Sequence, residues 1–195
     1  MSAPPVVVLG DVMTDVITRM SGPLAPGSDS PARIVLRPGG SAANTAAWLG
    51  HLGAPTVFVG RVGDGDLGRD AAQALRDHGV EPALGVSAGA ASGACVVLVD
   101  GEGERTMLPD AGANALLTAA DLPPAAFRRG GHLHVSGYAL TRAGSRTAAT
   151  AALAAAREAG MTTSVDPASS APLAAMGAGA IRAAGRGVDL MVVTL

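Results

Sequence analysis

The sequence predicts a doubly wound α/β fold with a small separate β-sheet, and three observations lead to that prediction. Apolar, β-branched runs such as Val6–Leu9 end in Gly or Asp, which is typical of buried parallel strands. Helical segments with capping residues alternate with these runs. Three further strand-like segments, near 16–20, 32–36 and 94–108, interrupt the alternation. We therefore assign them to a second sheet that covers one end of the core.

The composition is that of a folded protein and argues against several partners. Hydrophobic residues make up 48% and charged residues 15% of the 195 positions, which is enough for one domain with a core. A net charge of −2 and an aromatic content of 2% argue against nucleic-acid binding. The lone Cys95 provides neither a disulfide framework nor a thiolate zinc site.

The N-terminal segment and the apolar runs indicate no membrane partner. The first residues lack the charged segment that opens a signal peptide, and Asp11 follows after only a few apolar residues. No uncharged apolar run approaches the length needed to cross a bilayer. We therefore expect a cytoplasmic protein.

The segment 37–80 organises the predicted core. Gly39 and Gly40 precede Ser41, which is the predicted N-cap of a helix over 42–52. A glycine pair at a helix N-terminus lets a ligand approach the backbone and would offer it unpaired N–H groups. The other predicted elements, in chain order, are strand 57–59, helix 67–78 capped by Asp66, hairpin strands 95–99 and 105–108, a capped turn at 118–121, strand 132–136, helix 141–159, strand 163–165, helix 172–184 and strand 189–193.

Two glycine-rich stretches have both a functional and a structural interpretation. Residues 63–68 spell GxGxxG between a strand and a helix, the form of a dinucleotide fingerprint. Asp64 and Asp66 would repel a pyrophosphate there, so we interpret the stretch as a turn and helix cap. The glycine run at 176–180 has no acidic neighbour and is interpreted as a site of close helix packing.

The histidines and serines provide weak signals for a metal site and a nucleophile. His132 and His134 point to the same face of a predicted strand, which could begin a metal site. No third ligand stands at a suitable spacing, so packing is the favoured interpretation and no metal is expected. No serine lies in a G-x-S-x-G pattern, so no nucleophile elbow is predicted.

Asp15 is the strongest candidate for ligand contact. It follows the first strand and should lie close to Gly39 and Gly40 in a doubly wound sheet. A carboxylate accepts hydrogen bonds from two neighbouring hydroxyls, and Asn44 on the next helix can both donate and accept. This set suits a polyhydroxyl ligand. The alternative is that Asp15 only caps a turn.

These motifs together resemble one family. The segment 39–80 resembles the first signature of the ribokinase-like (PfkB-type) carbohydrate kinases. Residues 10–15, GDVMTD, resemble the opening motif of that family, residues 93–113 its lid hairpin, and residues 165–167 a later strand end. The resemblance covers nearly the whole chain in the order of the family.

The resemblance implies a single kinase domain over 1–195, with lid strands near 13–37 and 93–109, and often a dimer formed through the lids. The implied reaction transfers the γ-phosphate of ATP, with Mg²⁺, to a hydroxyl of a sugar, nucleoside or related molecule. The residues implied to contact this acceptor are Asp15, Gly39, Gly40 and Asn44, with Arg105 in the closing lid.

The departures from the family pattern limit this expectation. Met13 and Gly137 stand where ribokinases proper carry Asn and Glu, which argues against ribose. The second family signature, Asp-Thr-x-Gly-Ala-Gly-Asp, is absent, and with it the catalytic aspartate and anion hole. We therefore expect the acceptor-binding part of a kinase, truncated on its C-terminal side and inactive alone. The alternatives are a catalytically inactive binding or regulatory protein, and a fragment without an independent role.

Overall fold

The computed structural model describes residues 3–167, 169, 173–175, 177, 179, 183 and 185–193. Its strands form two sheets, and its helices pack against the larger of them. In chain order the elements are β1 (Val6–Leu9), β2 (Met13–Met20), β3 (Ala32–Gly39), α1 (Ser41–His51), β4 (Thr56–Gly63), α2 (Asp66–Asp77), β5 (Val80–Ser87), β6 (Gly93–Val99), β7 (Arg105–Asp110), β8 (His132–Ser136), α3 (Gly137–Thr141), α4 (Ala143–Ala159), β9 (Thr162–Asp166) and β10 (Leu190–Met191).

Among the described residues, the core sheet has six parallel strands in the order β10-β9-β8-β1-β4-β5. Val7 and Leu9 of β1 belong to the hydrophobic cluster that contains the buried face of α4. Val8 and Phe58 belong to a second cluster with the buried alanines of α1. Since β1 is covered on both faces, its sequence is a continuous apolar run rather than an alternating one.

The small sheet has four strands in the order β3-β2-β6-β7. Strands β2 and β6 are parallel, and the two outer pairs are antiparallel. On one face, Cys95 and Val97 are buried with Met13 in a third cluster. On the other face, the aliphatic side chains of Leu36, Val16, Val96 and Leu108 form a row that crosses all four strands. All of them except Val16 are exposed. This sheet therefore has one open apolar face, and its other face is buried along β6 and at the start of β2.

The predicted α/β fold with a separate small sheet is confirmed, but several details differ. Strand β5 was not predicted, because Pro82 and Gly85 disfavour a strand; an edge strand of the core sheet tolerates them. The helix predicted over 141–159 begins at Ala143, since Arg142 is extended between α3 and α4. The predicted strand 189–193 is a two-residue strand. The predicted helix 172–184 lies largely outside the described residues.

Within the described part of the chain, no helix combines the length and apolar character that a membrane span requires.

Candidate functional site

The candidate site lies where the chain passes between the core sheet and the small sheet. Four connections cross this junction: 10–12 leads into β2, residue 40 leaves β3, 88–92 leads into β6, and residue 111 leaves β7. The first of them begins at the carboxyl end of β1, the edge at which open α/β sheets bind their ligands.

Asp15 and Gly39 are in direct contact at the junction. A Cβ atom added to Gly39 would collide with the Asp15 carboxyl group. Glycine thus leaves the space that this carboxyl group occupies. Burial raises the pKa of Asp15, and the nearby Asp11 raises it further. The carboxylate is therefore partly desolvated, a state that hydrogen-bond donors from a ligand would stabilise.

Gly40 packs its backbone against the connection that leads into β2. Its φ of 100° lies in the left-handed region, which disfavours any side chain. A Cβ there would also lie 2.6 Å from the carbonyl oxygen of Asp11. Both glycines of the pair are therefore required by local geometry, one by the Asp15 side chain and one by the Asp11 backbone.

Asp11, and not Ser41, caps helix α1. The Ser41 N–H donates to Asp11 Oδ2 at 2.8 Å, and the Ala42 N–H donates to Oδ1 at 3.4 Å. The Ala43 N–H donates to the Asp11 carbonyl at 3.1 Å. The prediction that Ser41 is the N-cap and that the N–H groups are free for a ligand is therefore wrong. The helix N-terminus already holds a carboxylate, which complements its dipole.

Of the remaining residues predicted to contact a ligand, the structure places one at the junction and one away from it. Asn44 is exposed on the first turn of α1, and its backbone N–H donates to the Gly40 carbonyl at 2.9 Å. Arg105 pairs with Val99 at the far end of the small sheet, whereas Pro109 lies in the row of Asp15. The two rows are four residue steps apart along β6, or about 13 Å. Asp15, Gly39, Gly40 and Asn44 thus lie at one junction, and Arg105 lies away from it.

Comparison with known proteins identifies the family. The family model of the pfkB family carbohydrate kinases matches residues 3–195. The chain belongs to the pfkB family. The resemblance seen in the motifs is thereby confirmed.

Individual relatives of this pfkB-family chain are sugar and nucleoside kinases by name. Fructokinase-1 of Oryza sativa subsp. japonica is 34% identical over 165 residues, which cover 83% of this chain and 50% of the rice protein. Fructokinase from Vibrio cholerae O395, solved without ligand, has a TM-score of 0.80 and 29% identity, covering 97% of this chain and 63% of that chain. The chain spans about half the length of the curated relatives it matches.

The structure of another relative contains both a riboside and an ATP analog. Aminoimidazole riboside kinase from Salmonella enterica, complexed with aminoimidazole riboside and an ATP analog, has a TM-score of 0.76 and 26% identity. The match covers 97% of this chain and 59% of that chain.

A polar strip lies beside the junction on the face of the core sheet that carries α1. Ser41 Oγ donates to Asp166 Oδ2 at 3.0 Å. His132 and His134 share the Ser164 hydroxyl, at 2.7 and 2.9 Å. Burial lowers the pKa of both histidines, and neighbouring aspartates partly oppose that effect. In the described residues no group of three potential ligands surrounds a metal position.

The GxGxxG stretch of this pfkB-family chain is a tight structural turn. A Cβ at Gly68 would collide with the Gly63 carbonyl oxygen, so the helix packs directly on the end of β4. The Asp64 side chain accepts the Gly89 N–H at 3.1 Å. These contacts favour the interpretation as a turn. The other glycine run, 176–180, includes residues outside the described set.

The sequence pattern alone does not predict the contacts of two residues that are central to the junction. Asp11 caps a helix that begins 30 residues later. Asn114, in the 3-10 turn Gly112–Leu116 that follows β7, hydrogen-bonds a residue 102 positions away. The available signals are a carboxylate directly after the first strand and an amide directly after the hairpin. Neither signal indicates which distant backbone group the side chain will bind.

Proposed function

We propose that this chain forms the acceptor-binding part of a kinase that phosphorylates a hydroxyl group of a sugar or related small molecule. The observation that carries the proposal is the partly desolvated Asp15 carboxyl group, seated on Gly39 at the junction of the two sheets. Membership of the pfkB family and the fructokinase relatives support the reaction class.

The chemistry of Asp15 fits a polyhydroxyl acceptor. A carboxylate accepts hydrogen bonds from two vicinal hydroxyls, and such charge-assisted bonds are stronger than neutral ones. Gly39 and Gly40 let an acceptor approach the backbone, and the exposed Asn44 side chain can donate and accept beside them. We propose a neutral sugar such as fructose, with a nucleoside such as aminoimidazole riboside as the second candidate, from the relatives named above.

We propose ATP and Mg²⁺ as the phosphoryl donor and its metal ion because the chain belongs to the pfkB family. The described residues do not themselves fit an ATP–Mg²⁺ site: Asp11 occupies the N-terminus of α1, and acidic residues line the 63–68 turn. We therefore propose that this chain binds the acceptor and does not transfer phosphate alone. A cytoplasmic location, where ATP is available, belongs to the same proposal.

The small sheet is proposed to close over the acceptor and to form a homodimer contact. Closure would exclude water from the acceptor hydroxyl. The open aliphatic row of Leu36, Val16, Val96 and Leu108 supports an apolar partner surface. The same row supports the second candidate function, a binding or regulatory protein that acts through dimerisation without phosphoryl transfer.

Calorimetry tests the acceptor site. The 195-residue chain is titrated with fructose, aminoimidazole riboside and ribose, and is assayed for turnover with ATP and Mg²⁺. We expect one of the first two to bind, and Asp15→Ala to weaken that binding at least about tenfold, since a hydrogen bond to a charged group contributes about 1.5–3 kcal/mol. The control is Asp70→Ala, which removes an exposed carboxylate from α2.

The outcomes separate the parts of the proposal. Unchanged affinity in Asp15→Ala would contradict the assigned site. Turnover by the wild-type chain would contradict the proposed inactivity while supporting the reaction. Sugar binding without any turnover, even after addition of a chain that carries the Asp-Thr-x-Gly-Ala-Gly-Asp signature but has no acceptor site of its own, would favour the binding protein.

A further inference from the structure

Asn114 joins two connections of the junction through one buried amide. Its side chain accepts the Val12 N–H at 3.0 Å and donates to the Val12 carbonyl at 2.9 Å. It also donates to the Ala111 carbonyl at 2.9 Å. The residue is only 6% exposed. One amide thus binds both the start of β2 and the end of β7.

The other two connections contact the same point. A Cβ at Gly93, at the start of β6, would collide with the Asn114 amide nitrogen. The Gly40 position, after β3, lies against the Asp11 carbonyl and the Val12 Cα. All four connections between the sheets therefore meet around Val12 and Asn114.

We propose that Asn114 is a positioning residue, which fixes the small sheet on the core and thereby holds the Asp15 carboxylate over Gly39. This inference rests on the proposed function. Asp15 lies only three residues after Val12 on β2, so a shift of the Val12 peptide moves the Asp15 carboxylate. The Asp15 carboxyl group lies directly against Gly39, so such a shift would change this contact.

The chemistry of the amide explains why asparagine stands at this position. The site presents one N–H donor and two carbonyl acceptors, so the side chain must accept and donate at once. A carboxylate of the same size would accept the Val12 N–H but face two carbonyl oxygens. An apolar side chain would leave buried polar groups without partners.

Two variants and a matched control test the proposal. Asn114→Ala removes all three hydrogen bonds, and Asn114→Asp keeps the volume but removes the two donated bonds. Thr163→Val is the control. Thr163 lies on β9, away from the small sheet, and its buried hydroxyl donates to Asp189 at 2.9 Å. Each chain is measured for hydrogen exchange at the Val12 N–H and for affinity to fructose and aminoimidazole riboside.

We expect Asn114→Ala to exchange the Val12 N–H about tenfold faster, because this amide loses its buried acceptor. Asn114→Asp keeps that acceptor, but its carboxylate faces the Val12 and Ala111 carbonyl oxygens, and this repulsion should open the connection and speed the exchange as well. Both variants should bind the acceptor about tenfold more weakly. The control should lose global stability but keep acceptor affinity. Equal effects in Thr163→Val, or unchanged acceptor affinity in a folded Asn114 variant, would overturn the proposal.

The two readouts separate this proposal from the proposed function. Failure of the wild-type chain to bind either acceptor contradicts the proposed function. In that case, faster Val12 exchange in the Asn114 variants than in the control supports the positioning role, and equal exchange overturns it. If Asn114→Ala does not fold, the volume-matched Asn114→Asp decides the question.

Discussion

The core sheet and the small sheet are held in place by different forces. The central strand β1 of the core is covered on both faces by apolar side chains, as is typical of parallel sheets. In the small sheet, one face is open, and every residue of β7 is exposed. Hydrophobic burial on both faces therefore fixes the core, whereas the small sheet buries one small apolar cluster and is joined to the core by glycine contacts and one buried amide. Stability should depend mainly on the first region and acceptor binding on the second.

The largest expected effect is the loss of core packing in Phe58→Ala. Phe58 is fully buried, and its removal leaves a cavity between β4 and α1. Such substitutions cost about 3–5 kcal/mol of unfolding free energy. The control in the small sheet is Leu36→Ala, which is 56% exposed and should change stability by about 0.5 kcal/mol or less. Equal losses in urea unfolding would contradict the comparison.

The second prediction separates binding from stability within the small sheet. Gly39→Ala places a methyl group where the Asp15 carboxyl group lies, but the Asp15 side chain can rotate away. We therefore expect a small stability change and at least about a tenfold loss of acceptor affinity, because a charge-assisted hydrogen bond is lost.

A matched glycine provides the control for that experiment. Gly101, in the turn between β6 and β7, has open space around its Cβ position and a φ outside the left-handed region. Gly101→Ala should therefore change neither affinity nor stability measurably. Retained acceptor binding in Gly39→Ala would show that the Asp15 carboxylate is not held over Gly39 for a ligand.

Much of both sheets could be predicted from the sequence because burial leaves a local pattern. The run Val6–Leu9 and the strand His132–Ser136 match the predicted bounds, since apolar runs and their flanking glycines are contiguous. Strand β5 was missed because its Pro82 and Gly85 are tolerated only by its place at the sheet edge. Edge position is a property of the fold and not of the segment.

The candidate site could be predicted only in part, for a related reason. The glycine pair and Asp15 carry a recognisable motif, but the partners of Asp11 and Asn114 lie 30 and 102 residues away. No local pattern indicates which backbone groups a distant side chain will satisfy. Ser41 therefore appeared to be the cap, because it stands next to the helix and Asp11 does not.

The third prediction concerns the pH dependence of stability, to which one group in each sheet should contribute in opposite directions. Burial lowers the pKa of His134 in the core below its usual 6.5, so the unfolded chain binds a proton at higher pH than the folded chain. Stability should therefore fall as pH falls from about 7 through 6.5. The raised pKa of Asp15 acts oppositely: its folded form favours the proton, so stability falls as pH rises from 3.8 through the raised value.

Thermal unfolding across pH 4–8, measured on the wild type and two variants, checks this sign. His134→Gln should flatten the fall of stability near pH 6, while the control Leu36→Ala, which removes no titratable group, should keep it. The loss should be smaller than that in Phe58→Ala, because Asp166 partly offsets the effect of burial on His134. An unchanged pH dependence in His134→Gln would contradict the assignment.

The smallest expected effect on folding is at the open face of the small sheet. Leu36→Ser and Leu108→Ser each replace a side chain that is more than half exposed, so unfolding free energy should change by about 0.5 kcal/mol or less. If two copies join through this face, as we propose, sedimentation should show a dimer for the wild type and a monomer for the double variant. Both residues belong to one cross-strand row, so their loss removes a continuous apolar surface. A wild-type monomer would contradict the dimer, and a double variant that still forms a dimer would place the contact elsewhere.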